Sequence, residues 1–111
     1  MTESEFLEHA EATLTAIEQA VEAAAEAIDI EVSRSGNVLT LELAAGGKVI
    51  VNTQAPMQQI WVAARSGGFH YTRAADGRWR DTRDGSELFA ALSKIISAQG
   101  GAPVVLAPPA R

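Results

Sequence analysis

Seven carboxylates near the N-terminus carry the first chemical signal in this chain. Glu8, Glu11, Glu18, Glu22 and Glu26 fall within roughly 80° of one another when residues are projected at ~100° each along a helix, and Asp29 and Glu31 follow directly. Oxygen ligands of this kind suit hard cations such as iron, manganese, calcium or magnesium, and need neither Cys nor His. Side chains strung along ~20 Å of helix do not converge on one ion. Weak, multiple and interchangeable binding is therefore expected, rather than a selective cage. No Lys or Arg precedes Arg34, so no base at i+3 or i+4 relieves like charges that each cost the helix about a few tenths of a kcal/mol. The competing reading is a solvated acidic face, because Glu is a good helix former and a common surface residue. A catalytic carboxylate pair fits poorly, since the pattern implies no buried acid and no paired base.

Other reactive constellations are sparse. Cysteine is absent, which excludes disulfides, thiolate metal sites and a Cys nucleophile. His9 and His70 are the only histidines; His9 projects roughly opposite the acidic stripe and reads as a surface residue. Gly46-Gly47 and Gly67-Gly68 lack the further glycines of a phosphate loop and read as turns. Trp61 is the sharper feature. Ile60 and Val62 beside it belong to a core face, which places Trp61 outward among Gln59 and Asn52 as a protein-contact candidate. A one-residue change of register would bury it instead.

The elements that position these residues follow from periodicity. Phe6, Leu7, Ala10, Leu14, Ile17, Val21, Ala24, Ala25 and Ile28 form one apolar stripe, predicting a helix from about Ser4 to Ile28. Ser4 is an N-cap candidate, and Thr2 with Glu5 is the better capping box. Period two then takes over: strands are predicted at 29–33, 38–43, 48–52, 58–63, 69–72 and 78–81, with turns at Ser35-Gly36-Asn37, Ala44 to Gly47, Pro56, Ser66 to Gly68 and Asp76-Gly77. A second helix runs from a Ser86 cap to Ala98, burying Leu88, Phe89, Leu92, Ile95 and Ile96, and stops at Gly100-Gly101. The tail places Val104, Val105 and Leu106 between Pro103 and Pro108; it reads either as a cover for a seam in the core or as a frayed end. Both helices need an apolar partner, and one sheet face offers Leu39, Leu41, Leu43, Val49, Val51, Ile60, Val62, Phe69, Tyr71 and Trp79. The expected fold is α/β (α+β): a two-layer sandwich with both helices on one face of an antiparallel sheet of about six strands.

Length and charge bound the function. With 111 residues, 47% of them hydrophobic and 21% charged, the chain is expected to form one domain over 1–111, with a core at about 4–98 and a Pro-rich tail at 99–111. The net charge of −5 conceals −9 over residues 1–33 and +4 over the remainder. Such a field attracts a cation or a basic partner and repels nucleic acid. No basic segment precedes an apolar run at the N-terminus, and Glu22 and Glu26 interrupt the Ala-rich stretch. A cytoplasmic protein without a membrane span is expected.

Asn52-Thr53-Gln54-Ala55-Pro56-Met57-Gln58-Gln59-Ile60-Trp61-Val62-Ala63, followed by Gly67-Gly68-Phe69-His70-Tyr71 and Trp79, closely resembles the signature of the frataxin family in its bacterial CyaY form. Ser4-Glu5-Phe6 and the acidic first helix match as well, so the resemblance covers roughly residues 4–98. It implies a frataxin-like sandwich that binds iron, ferrous or ferric, at an acidic ridge in weak and multiple sites where other divalent cations substitute. It further implies a non-enzymatic role in iron–sulfur cluster assembly, modulating a cysteine desulfurase and scaffold complex and donating or sensing iron, as a monomer with iron-dependent oligomers as a variant. Carried residue by residue, the ridge matches Glu11, Glu18, Glu22, Asp29 and Glu31, and Asn52, Gln54, Trp61 and His70 match the partner-binding sheet surface, with Gln59 beside them. Gln19, Ala23 and Ala25 stand where many bacterial relatives carry further acids; Glu26 lies at the same end and offsets part of that thinning. The alternatives are an acidic interaction module without metal and an iron-storing or ferroxidase protein.

Overall fold

Thr2 opens the first helix. Its hydroxyl accepts the Glu5 N–H at 3.1 Å while the Glu5 carboxylate accepts the Thr2 N–H at 2.8 Å, a complete capping box. These bonds hold the Glu5 carboxyl below its ordinary range. In the computed structural model, which describes residues 1–109, helix α1 spans Glu3–Ala23. The cap is therefore Thr2 and not Ser4. The helix also ends earlier than Ile28: residues 24–27 are turns, because the chain must reverse there to enter the sheet. Phe6, Ala10, Leu14, Ile17 and Val21 are buried as expected, but Leu7 and Ala25 are exposed. Leu7 sits at the margin of the stripe on the acidic side. His9 is half-buried rather than free on the surface.

Six antiparallel strands follow in chain order across one sheet: β1 Ile30–Ser35, β2 Val38–Leu43, β3 Lys48–Gln54, β4 Gln59–Ala64, β5 Gly67–Arg73 and β6 Trp79–Asp81. Alternation fixes the faces. Leu39, Leu41, Leu43, Val49, Val51, Ile60, Val62, Tyr71 and Trp79 point into the core, with Phe69 half-buried at its margin. Trp79 anchors the end of this core: its ring meets Phe6 edge-on at 5.9 Å, and its N–H donates to the Thr13 hydroxyl at 2.9 Å. Helix α2, Leu88–Gly100, is capped by Glu87 and not Ser86, both Glu87 carboxylate oxygens accepting N–H groups of the first turn. Its C-terminus packs so closely that a Cβ on Gly100 would lie 2.7 Å from Ile28 Cδ1, in the bend before β1, and 3.2 Å from Leu43 Cδ2 of β2, and Gly101 adopts the left-handed conformation that ends the helix. Two helices and a six-stranded antiparallel sheet form the expected two-layer sandwich. No helix among the described residues is long and apolar enough to cross a membrane.

The tail covers a seam. Ser97 and Ser93, one turn apart on α2, accept the N–H groups of Val104 and Leu106, each at 2.8 Å. That register buries Val104 and Leu106 beside Val21, Ile28 and Ile96 while leaving Val105 86% exposed. The last two residues lie outside the described part of the chain.

Candidate functional site

The acidic ridge is built by two elements, and they divide it. On α1, Glu8, Glu11, Glu18 and Glu22 lie along the flank next to the β1 edge. Ile30, Val32 and Arg34 of β1 alternate toward the helix layer, so the first base in the sequence arrives beside these acids through tertiary structure. Arg34 reaches Glu11 at 3.2 Å and Glu18 at 3.7 Å, and it donates to the Thr15 hydroxyl at 3.1 Å. The helix alone offers its carboxylates no counter-charge, whereas the fold supplies one. Arg34 was absent from the expected site; the alternation that put Ile30 and Val32 on the helix side could have found it. Among the described residues Glu22 forms no ion pair; it lies in the final turn of α1, which has no base, at the negative end of the helix dipole.

The second part of the ridge lies on the β1–β2 edge. Glu31 alternates to the opposite side from Arg34 and stands directly across from Glu42 of β2, in register. Asp29, Glu31 and Glu42 line one shallow cleft with Leu43 and Ala44. Glu42 is not among the ridge residues expected from the sequence, although a hairpin turning at Gly36 pairs it with Glu31. Lys48 of β3 is the next residue in that row. Glu26 is not on the helical stripe at all; it occupies the turn after α1. Among the described residues, Glu8, Glu22, Glu26, Asp29 and Glu31 form no ion pair, and no three acids or histidines are disposed to enclose a metal ion. Exposed oxygens on two neighbouring surfaces, with one guanidinium among them, can hold a hard cation only loosely and in exchange with water.

The open sheet face gathers all five residues expected there. Asn52, Trp61 and His70 occupy one row across β3, β4 and β5. The Trp61 ring stacks on the His70 imidazole at 4.4 Å and 11°, and its N–H donates to the Gln59 side-chain oxygen at 2.7 Å. Gln54, opposite Gln59, donates to Asn52 at 3.4 Å. Trp61 is thus half-buried on the outer face and not in the core, which resolves the two registers the sequence left open. Its apolar area is held flat by a stacked neighbour and a fixed hydrogen bond, so little side-chain entropy remains to be lost on contact with a partner.

Comparison with known proteins adds three findings. The family model of the frataxin-like domain matches residues 1–102. The chain is 60% identical over 109 residues to the iron-sulfur cluster assembly protein CyaY of Janthinobacterium sp. (strain Marseille), covering 96% of each, and 60% identical over 109 residues to the protein of that name from Ralstonia pickettii (strain 12J), again covering 96% of each. Among solved structures, frataxin from Psychromonas ingrahamii superposes with a TM-score of 0.87 at 33% identity, over 97% of this chain and 100% of that one. The trimeric frataxin of the yeast Saccharomyces cerevisiae, complexed with ferrous iron, gives a TM-score of 0.72 at 28% identity, over 84% and 86%.

Proposed function

The chain belongs to the frataxin-like family, and from that membership and the two surfaces described above we propose that it is a non-catalytic, iron-binding modulator of iron–sulfur cluster assembly. Its curated relatives are named for that process, and the yeast frataxin was crystallised with ferrous iron. The observation that carries the reading is the form of the ridge: exposed carboxylates on α1 and on the β1–β2 edge, only Glu11 and Glu18 of them meeting a base among the described residues, and no enclosing set there. Iron held this way is cargo in exchange with solvent, and the protein acts through where it brings that cargo. The partner is a cysteine desulfurase with its scaffold. Glu18 and Glu22 face basic side chains of the partner through charge-assisted hydrogen bonds, while Asn52, Gln54, Gln59, Trp61 and His70 supply a flat contact. Glu11, Glu22, Asp29 and Glu31 serve the metal, with Glu26 adjoining and Glu18 shared between the two uses.

Anaerobic titration with ferrous iron, read by nuclear magnetic resonance line broadening, tests the metal half. Broadening is expected at Glu11, Glu18, Glu22, Asp29 and Glu31, saturating weakly and competed by manganese or calcium. Broadening confined to other parts of the chain would overturn the assignment, and none at all would favour an interaction module that works without metal. Oxygen-dependent turnover of iron would instead favour the storage reading.

A further inference from the structure

A cleft of about 200 Å³ opens between α1, the β5–β6 turn and the C-terminal tail, on the flank of α1 that helical spacing sets opposite Glu11 and Glu18. Its charge is the reverse of the ridge, for Arg73, Arg78 and His9 line it. Arg73 stands across from Trp79 in register and two residues beyond buried Tyr71, so alternation turns it toward the helix layer, a direction strands otherwise give to core residues. The turn that follows brings in the second base. Gly77, at φ +83°, leaves room for the Arg73 guanidinium, whose Nη2 would lie 3.4 Å from a Cβ there, and Arg78 comes next in the chain. His9 enters from α1, which is tied to this end of the sheet one turn later, where the Thr13 hydroxyl accepts the Trp79 indole N–H at 2.9 Å. The acids around the cleft are already engaged. Glu87, in its lining, gives both oxygens to the first turn of α2. Asp76, in the turn, gives one oxygen to the Arg78 backbone N–H and the other to Arg80, and Glu5, one turn before His9, closes the α1 capping box. Among the described residues the Arg73 and Arg78 guanidinium groups make no ion pair and no hydrogen bond, whereas those of Arg34 and Arg80 make both.

We infer that this cleft binds a phosphate group, free or as a small monoester, with the Arg73 and Arg78 guanidinium forks and a His9 ring N–H directed at its oxygens. A carboxylate offers two oxygens and one charge, which a single guanidinium fork satisfies. Two forks and an imidazole instead match the three terminal oxygens and the charge near −2 of a phosphate monoester at neutral pH. Ala12 and Pro108 give the cleft an apolar side for the organic part of an ester. The cleft and the acidic ridge share no residue, so the two sites fill independently.

The test is a titration of the full chain at neutral pH with sodium phosphate and, as a second arm, with phenyl phosphate, followed by the Trp79 indole N–H, the His9 ring and the arginine Nε–H resonances. Sodium chloride and sodium acetate at equal ionic strength are the controls. Saturable shifts with either phosphate are expected, absent with chloride and saturating only at about tenfold higher concentration with acetate. Equal affinity for the two phosphates identifies the bare group as the ligand, and tighter phenyl phosphate identifies an ester. Arg73→Gln and Arg78→Gln should each weaken binding about tenfold, as loss of a charge-assisted hydrogen bond implies, with the melting midpoint kept. Arg83→Gln removes the same charge elsewhere, over the Phe69 ring, and should change the affinity less than about twofold, because salt screens a charge outside the cleft. Equal saturation by acetate, no saturation by either phosphate, unaltered binding in both cleft variants, or an equal loss in Arg83→Gln would overturn the proposal.

Discussion

Replacing Arg34 by Gln should make the protein less stable and, at the same time, a better cation binder. The Arg34 side chain is 18% exposed and its guanidinium touches Glu11, Glu18 and Thr15. The Glu11 partner is 73% exposed, so that contact is worth roughly 0.5 kcal/mol or less; Glu18, at 31%, is worth up to about 1 kcal/mol. The hydrogen bond to Thr15 adds about 0.5–1 kcal/mol. The loss should therefore total about 0.5–2.5 kcal/mol, a fall of roughly 2–15 °C in the melting midpoint for a domain of this size. The same change deletes a positive charge beside a cation held at Glu18 and Glu22; in water a unit charge and a divalent ion about 8 Å apart repel by about 1 kcal/mol, roughly fivefold in affinity. Melts followed by circular dichroism, in calcium chloride and in potassium chloride of equal ionic strength, separate the two effects. The variant should melt lower in potassium and recover more than wild type in calcium. Equal melting points in potassium, or an equal calcium gain in the two proteins, would refute the reasoning.

Other perturbations read different parts of the structure. Trp61→Ala should change stability by no more than roughly 1 kcal/mol in urea melts yet weaken partner binding by about 1–4 kcal/mol, whereas Trp79→Ala, at a residue 4% exposed, should cost roughly 3–5 kcal/mol of stability. Ending the chain after Gly101 removes buried Val104 and Leu106 and should cost about 3–5 kcal/mol; an unchanged denaturation midpoint would show the tail to be idle. Tyr71 is the sole tyrosine, so ultraviolet titration reports it alone, with a midpoint near 12 while the fold persists. Because its folded pKa is raised, its contribution is complete below about pH 10 and is lost as pH climbs to about 12, roughly 2–3 kcal/mol in all; Tyr71→Phe should remove that slope.

The strands and the α1 stripe were legible because alternation and the 3.6-residue period each leave a direct trace, and Trp61 faced outward once Ile60 and Val62 were assigned to the core. The end of α1 was not legible: Ala23, Ala24, Ala25 and Ala27 suit a helix equally well, and only the need to reach β1 stops it at Ala23. Arg34 escaped notice because a salt bridge to residues 16 and 23 positions earlier follows from how β1 lies against α1, not from helix spacing. The tail was ambiguous for a similar reason, since Ser93 and Ser97 reveal their role only when Val104 and Leu106 lie against them.

We propose that the acidic ridge lets this protein act on cluster assembly. The most direct measurement is the anaerobic rate of cluster formation by desulfurase and scaffold from the same cell, without this protein, with wild type, and with the Glu18→Lys, Glu22→Lys variant. Glu22 is exposed and Glu18 is half-exposed beside Arg34, so the variant should retain a native circular dichroism spectrum. Wild type should shift the rate, and the charge-reversed protein should lose most of that shift at equal concentration. A variant as effective as wild type, or a wild type without effect, would contradict the account.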